Sequence, residues 1–201
     1  MNTRILCVAA ALFLAGCSKG VDAVAGPGRS VTNPTAPSAS FTRYLIKKGE
    51  HSTQSNVFRP VELDSLRFTV RFDSSAVYRT AVPANQYDIN KLYGFSDNAD
   101  EHHRFSARFG WSWNNGALRL YAYVYNNGVR ASKELGTMAI GAEAECAIRV
   151  TEAGYGFMLN GTETVLPRAS KTPRARGYQL YPYFGGDEPA PHDVSIWIKN
   201  R

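Results

Sequence analysis

The chain has 201 residues, of which 44% are hydrophobic, 12% aromatic and 20% charged. This length suits one domain with short appendages and excludes two ordinary domains joined by a linker. The slightly negative mean hydropathy excludes a protein with many membrane spans, and the abundance of aromatic residues excludes disorder along the whole chain. The formal net charge of +6 favours acidic partners without choosing among them.

The first predicted element is an export signal at the N-terminus. Arg4 supplies a positive charge, and residues 5–14 form an apolar segment too short to span a membrane stably. The sequence Leu14-Ala15-Gly16-Cys17 resembles the lipobox of bacterial lipoproteins. The resemblance implies cleavage before Cys17 and acylation of Cys17 by chains such as palmitate. An ordinary secretory signal with a chance cysteine is the alternative.

A flexible tether is predicted after this cysteine, because residues 18–40 are built from Gly, Pro, Ser, Thr and Ala without apolar periodicity. The residue after Cys17 is Ser18 rather than Asp. By the sorting rule for lipoproteins of double-membraned bacteria, this favours the outer membrane. We therefore expect a signal peptide at 1–16, lipidated Cys17 and the tether at 17–40, and a β-sandwich domain at 41–201. The membrane face on which the protein lies and its oligomeric state stay open.

The cysteines exclude a disulfide within the processed chain. Cys7 leaves with the signal peptide and Cys17 carries lipid, so Cys146 is left alone. Cys146 begins a run that alternates like a strand, which predicts a buried packing thiol rather than a nucleophile.

From residue 41 onward, short alternating runs separated by turn residues predict an all-β domain. In residues 66–72, apolar side chains alternate with Arg67, Thr69 and Arg71. Further strands are predicted at 105–113, from the Asn115-Gly116 turn to Tyr125, and at 147–151, 154–160, 178–184 and 194–199. One or two helical turns early in the domain stay open. This pattern is typical of a two-sheet antiparallel sandwich.

Two Asn-Gly pairs set the register of the central hairpins, because both residues of such a turn accept positive φ. With Asn115-Gly116 as a two-residue loop, Trp111 faces Leu120, and the pairs on that face are all apolar. That face is therefore predicted to point into the core. The opposite face pairs Ser112 with Arg119, Gly110 with Tyr121, Arg108 with Tyr123, and Ser106 with Tyr125. Asn127-Gly128 adds Arg130 opposite Tyr125.

The outward face of these hairpins is the candidate binding surface. Tyrosines offer flat apolar area with a hydroxyl rim that suits sugars, and arginine forks match carboxylates or sulfates. Gly110 is expected to leave a gap beside Tyr121. An ordinary solvent-facing sheet surface, or a surface covered by another segment, are the alternatives. The six candidate glycan-binding residues are Arg108, Arg119, Tyr121, Tyr123, Tyr125 and Arg130.

Two later segments resemble concanavalin A-like lectins and glucanases. Residues 154–161 read as a strand running into Asn160-Gly161, and residues 181–186 with 190–198 look like the closing strands of that jelly roll. Residues 88–97 and 106–111 are similar to uncharacterised Bacteroidetes-type surface proteins. The first resemblance implies a jelly-roll sandwich with a carbohydrate-binding concave face, and the second implies no activity.

Catalysis is a weaker expectation than binding. The Glu-x-Asp-x-x-Glu motif of the retaining glucanases is absent, and Glu143 and Glu145 are expected in a connection. A polysaccharide lyase acting by β-elimination stays open. This reaction requires a base, an acid and a cation, and the chain offers candidates for all three. The residues that would supply these groups are His102, His103, Arg108 and Tyr123. For the adjacent histidines a polar loop is the alternative, and His192 is expected to form a turn or a hydrogen bond near the last strand.

No cofactor is expected, apart from a weak case for structural Ca²⁺. Oxygen-bearing side chains at Asp88, Asn90, Asp97 and Asp100 are weak candidates for structural Ca²⁺, although Asp and Asn also favour turns. The export signal argues against a nucleic-acid partner. The leading hypothesis is an envelope lipoprotein that binds an acidic extracellular polysaccharide without cleaving it. A uronic acid polymer lyase and a structural or protein-interaction lipoprotein are the alternatives.

Overall fold

The computed structural model describes residues 40–201. The predicted signal peptide, Cys17 and all but the last residue of the predicted tether lie outside the described residues. Within the described part, no helix is long and apolar enough to cross a membrane.

The described residues form a jelly-roll sandwich of two six-stranded antiparallel sheets, as predicted. The first sheet has the order β1-β12-β3-β8-β9-β10 and the second has β2-β11-β4-β5-β6-β7. Short 3₁₀ helices lie at Ser74–Ala76 and Pro83–Tyr87. The strands are β1 Thr42–Ile46, β2 Pro60–Leu63, β3 Ser65–Phe72, β4 Asn90–Ser96, β5 Phe105–Asn114, β6 Ala117–Asn126, β7 Val129–Met138, β8 Glu143–Thr151, β9 Gly154–Leu159, β10 Thr162–Leu166, β11 Ala175–Leu180 and β12 Val194–Asn200.

The predicted register of the central hairpins is confirmed. Asn115 and Asn127 each have a φ of 50°, and the following glycines also have positive φ. Trp111 lies opposite Leu120, and Arg108 lies opposite Tyr123. Between Leu120 and Tyr121 the pairing of β6 with β7 shifts by a bulge, which the sequence reasoning did not anticipate.

The core lies between the sheets and is built from aromatic rings. Phe109 of β5 meets Phe68 edge-on with the ring centroids 5.5 Å apart, and it meets Phe157 at 5.4 Å. Cys146 is a buried free thiol facing this core, as predicted. His192 lies just before β12, and its Nε2 is 2.9 Å from the carbonyl of Ser75.

Several strand predictions need correction. Glu143 and Glu145 do not lie in a connection: they project outward from β8, while Ala144 and Cys146 point inward. The predicted strand at 178–184 is instead the end of β11, and Tyr183 makes only isolated bridges with Ser52 and Lys91. Strand β4 was not predicted because it is buried on both faces and carries a register shift, so its sequence lacks alternation.

Candidate functional site

A cleft of about 330 Å³ opens on the outward face of the second sheet. Its floor comes from β5, β6 and the start of β7, one side from β4 and the segment after β11, and the other from the turn before β5. We call it the basic cleft. Its lining residues are Lys91, His102, His103, Arg108, Tyr123, Tyr125, Arg130, Tyr183, Gly185, Gly186 and Asp187.

Arg108 lies at the bottom of the basic cleft. Its neighbour across the sheet is Gly94 of β4, and a Cβ at position 94 would collide with Arg108 Cα and Cβ. The absence of a side chain at Gly94 therefore leaves room for Arg108, which is only 6% exposed. Its guanidinium carbon is 5.4 Å from the centroid of the Tyr123 ring.

Within residues 40–201, no carboxylate pairs with the charge of Arg108. Among the described residues, its Nε makes no hydrogen bond and its guanidinium takes part in no salt bridge. A buried guanidinium without a counter-ion is costly because desolvation disfavours the charge, and burial lowers the pKa of Arg108 for that reason. An anionic group entering the cleft would relieve this cost.

Lys91 connects β4 to the segment after β11 on the same side of the cleft. Its backbone forms two hydrogen bonds with that of Tyr183, at 2.8 and 3.0 Å, and its Nζ donates to the Gly185 carbonyl at 2.8 Å. The same Nζ is 5.5 Å from the centroid of Tyr123. Burial, together with the charge of Arg108, lowers the pKa of Lys91 to about 8.

The two histidines lie on the turn that leads into β5. His102 Nδ1 is 2.8 Å from the hydroxyl of Tyr178, and the rings of His102 and His103 are 4.1 Å apart. Burial first, then Arg108 and His103, lower the pKa of His102 to about 4. His102 is therefore a neutral imidazole at physiological pH.

The tyrosines complete the floor. Tyr123 is 3% exposed, and its ring centroid is 5.8 Å from that of Tyr125. Burial, and then the hydrogen bond with Tyr125, raise the pKa of Tyr123. Tyr123 is therefore a neutral phenol that can donate a hydrogen bond at physiological pH.

The structure brings six of the predicted site residues together and leaves two elsewhere. Arg119 donates to Asn114 and to Glu134, both at 2.8 Å, and Tyr121 bonds Ser112 at 3.0 Å. Neither lines the basic cleft, so their prediction as part of one site is not supported by this placement. The residues that do line it are Arg108, Tyr123, Tyr125, Arg130, His102 and His103.

The expected gap at Gly110 is absent. The side chain of Ile89 fills the space above this glycine and leaves no room for a Cβ. The outward face is thus partly covered, one of the alternatives considered from the sequence, and the cleft lies in the part left open.

Sequence reasoning missed Lys91 and Tyr183, which come from segments far from the hairpin in the chain. Both lie in stretches noted for a resemblance, 88–97 and 181–186, and neither residue was itself named as a site candidate. No local pattern brings these segments together, because their pairing is a single backbone bridge between Lys91 and Tyr183.

A second cavity, of about 520 Å³, adjoins the basic cleft. The two share His102, Arg108 and Tyr183 as lining residues. Because its other lining residues are all uncharged and three of them are aromatic, we call it the aromatic cavity. Its remaining lining residues are Ser52, Asn56, Phe58, Tyr178, Gln179, Leu180, Tyr181 and Pro182.

The weak Ca²⁺ candidates all have neighbours within the protein. Asn90 bonds Tyr78 and Gly185, and Asp97 binds Arg168 and Tyr155. Asp100 lies 3.6 Å from Arg104, and Asp88 lies beside Gly186. Across residues 40–201 no group of three or more His, Cys, Asp or Glu side chains is placed to hold a metal.

No family model matches the chain, and no curated protein matches it. Among solved structures, an alginate lyase from Chlorella virus is 12% identical, with a TM-score of 0.45, over 83% of this chain and 85% of that one. A carbohydrate binding module from Bacillus subtilis is 7% identical, with a TM-score of 0.44, over 81% and 89%. A functionally unknown protein from Saccharomyces cerevisiae is 11% identical, with a TM-score of 0.48, over 82% and 90%. Identities this low carry no information on ligand or activity.

Proposed function

We propose that this protein is an envelope lipoprotein whose basic cleft binds a carboxylate-bearing extracellular polysaccharide without cleaving it. The observation that carries the proposal is Arg108, a buried guanidinium that lies at the bottom of an open cleft and has no counter-ion in the described part of the chain. A ligand carboxylate would supply the missing hydrogen-bond acceptor and the missing negative charge.

The charges around Arg108 support an anionic ligand. Lys91 and Arg130 also line the cleft, and neither forms a salt bridge within the described residues. Asp187 is the one carboxylate among the lining residues, and it is exposed. Three cations facing one carboxylate produce a positive cleft.

The aromatic rings support a sugar. Tyr125 is half-buried in the lining of the cleft beside the buried ring of Tyr123, and Tyr183 stacks on His51 with the ring centroids 5.2 Å apart at the wall. Sugar rings carry apolar C–H faces edged by hydroxyls, so phenol rings and hydroxyls fit them in both respects.

Replacing Arg108 tests the site. Calorimetric titration of the full chain with unsulfated uronic acid oligosaccharides should show that Arg108→Gln weakens binding at least ~30-fold, because it leaves the ligand carboxylate without its buried partner. Arg119→Gln is the matched control, since Arg119 lies on the same sheet face outside the cleft. An Arg108→Gln variant that melts like the parent yet binds equally well would refute the site.

A second candidate function, β-elimination, is favoured by the chemistry gathered in the same cleft. A neutral His102 imidazole would take the proton from C5 of a uronate, and that electron pair would form the C4–C5 double bond. The C4–O bond would break, with the leaving oxygen protonated by Tyr123, while Arg108 neutralises the carboxylate. The raised pKa of Tyr123 suits the acid rather than the base.

The oligosaccharides that bind Arg108 decide between the two functions. We expect no new ultraviolet absorbance when they are incubated with the protein. His102 already bonds Tyr178 through one ring nitrogen, and the sequence lacks the Arg-x-Glu-Leu-Arg and the Gln-Ile-His or Gln-Val-His signatures of jelly-roll polysaccharide lyases. An absorbance increase that disappears in His102→Ala and Tyr123→Phe, with binding retained, would instead establish the lyase.

A further inference from the structure

The aromatic cavity differs in chemistry from the basic cleft that it adjoins. Arg108 is the one Lys or Arg among its lining residues, and it lies on the boundary shared with the basic cleft. Arg59 lies near Tyr181 but outside the lining. The basic cleft therefore suits an anion, whereas the aromatic cavity suits an uncharged ring.

Phe58 marks the outer wall of the aromatic cavity. Its side chain is 74% exposed, and its ring centroid is 5.7 Å from that of Tyr178. Tyr178 in turn bonds His102, which lines both cavities. An exposed phenylalanine beside a tyrosine offers a flat apolar surface next to the anion site.

We propose that the two cavities form one groove that binds an alternating polysaccharide, with a uronate in the basic cleft and a neutral sugar, such as an N-acetylhexosamine, against Phe58 and Tyr178. The inference rests on the proposed function and specifies its ligand. The polar groups beside these rings, Ser52 and Asn56, are uncharged and suit hydroxyl and amide groups.

A polymer made only of uronates fits the groove less well. Each of its sugars carries a carboxylate, so a neighbour of the sugar held at Arg108 would place a second negative charge in the aromatic cavity. There it would meet Phe58, Leu180 and Pro182 without a further lining cation. Burying a carboxylate without a partner is unfavourable, whereas an amide or hydroxyl needs only one neutral hydrogen bond.

Hexasaccharides of equal length separate the two polymer classes. Calorimetric titration of the full chain would compare hyaluronan and unsulfated heparosan hexasaccharides, which alternate uronate with N-acetylglucosamine, with mannuronate and guluronate hexasaccharides. We expect at least one alternating ligand to bind about tenfold more tightly than either homopolymer.

Phe58→Ala tests the contact itself. It should weaken binding of the alternating hexasaccharide about five- to tenfold, the effect of one lost stacking contact, and should change homopolymer binding less than about twofold. Val57→Ala is the control, because Val57 is adjacent and 67% exposed. Phe58 is exposed, so its replacement is not expected to unfold the domain.

The outcomes keep the inference separate from the proposed function. Equal affinity for all acidic hexasaccharides, lost in Arg108→Gln, would overturn the alternating ligand and leave the anion site standing. Unchanged binding of the alternating ligand in Phe58→Ala would also overturn it. Absence of binding to every acidic hexasaccharide would overturn both.

Discussion

At the level of single residues, Arg108 and Lys91 respond differently to the same cleft. Burial lowers the pKa of Arg108, but a guanidinium is so strong a base that its charge is kept near neutral pH. Lys91 can lose its proton, because its pKa has fallen from 10.5 to about 8. The lysine therefore makes ligand binding depend on pH in an accessible range.

Binding of a carboxylate should weaken as the pH rises above about 8. A bound carboxylate favours the charged ammonium and raises the pKa of Lys91, so each step of pH between the free and bound pKa values costs affinity. We expect a loss of about tenfold between pH 7 and pH 10. In Lys91→Arg, where the charge does not titrate, calorimetric affinities should stay flat. A pH dependence that survives this substitution would assign the titration to another group.

The same shift gives Lys91 a cost in stability. Between pH 8 and 10.5, Lys91 is protonated in the unfolded chain but largely deprotonated in the folded one, so the free energy of unfolding rises with pH in this range. The contribution of Lys91 to stability is therefore lowest below pH 8. Lys91→Met should therefore raise the free energy of unfolding at pH 7 by about 1–2 kcal/mol, after allowance for solvent screening, while weakening ligand binding. Urea denaturation and titration of the same sample check both effects, and a destabilised variant would contradict the argument.

At the level of elements, Asp97 holds together parts of the chain that surround the end of β4. Its carboxylate is fully buried and accepts from Tyr155 at 2.6 Å, from Arg168 Nε at 2.8 Å and from the backbone of Arg176 at 3.0 Å. These donors lie on β9, in the β10–β11 connection and on β11. Because β4 also carries Lys91, this junction supports the strand that forms one side of the basic cleft.

Removing the charge of Asp97 should destabilise the domain strongly. Asp97→Asn would leave Arg168, whose side chain is 9% exposed, without its ion-pair partner, at a cost of about 3–5 kcal/mol in the free energy of unfolding. Asp100→Asn, which breaks only the longer and more exposed contact with Arg104, should cost less than about 1 kcal/mol. Equal denaturation midpoints for the two variants would show that the Asp97 junction is not stabilising.

Acid should affect the same junction. Burial favours the neutral form of Asp97, but hydrogen bonds from Arg168, Tyr155 and the backbone outweigh it and hold the pKa below its usual value. The resulting stabilisation is present above the pKa of an unfolded aspartate and is lost as the pH falls towards that of the folded group. The parent protein should therefore lose stability in acid more steeply than Asp97→Asn does.

The β5–β6 hairpin was predictable from sequence because everything that sets its register is local. Asn115-Gly116 fixes the turn, and the apolar alternation around Trp111 then fixes which face is buried. That information placed Arg108 and Tyr123 together. The walls of the cleft were not predictable, because Lys91 and Tyr183 meet through one bridge between remote segments. The partners of Arg119, Asn114 of β5 and Glu134 of β7, are likewise set by the folded side chains rather than by the alternation of the sequence.

At the scale of the whole molecule, the proposed anchor lies outside the described residues and needs its own test. If Cys17 is the lipid acceptor, cells expressing the protein and supplied with labelled palmitate should label it, and Cys17→Ala should abolish the label. Cys146→Ala is the control, because that thiol is buried in the sandwich and inaccessible to a transferase. Label that remains in Cys17→Ala would exclude the lipobox interpretation.

The depth of Arg108 also determines how the protein behaves in salt. Exposed cations on a chain of net charge +6 attract any polyanion, but dissolved ions screen that attraction beyond about 8–10 Å at physiological ionic strength. A carboxylate that reaches Arg108 is shielded from those ions by the walls of the cleft, so its binding persists where loose association has faded. Rising ionic strength therefore selects for ligands shaped to enter the cleft over ligands that are merely charged.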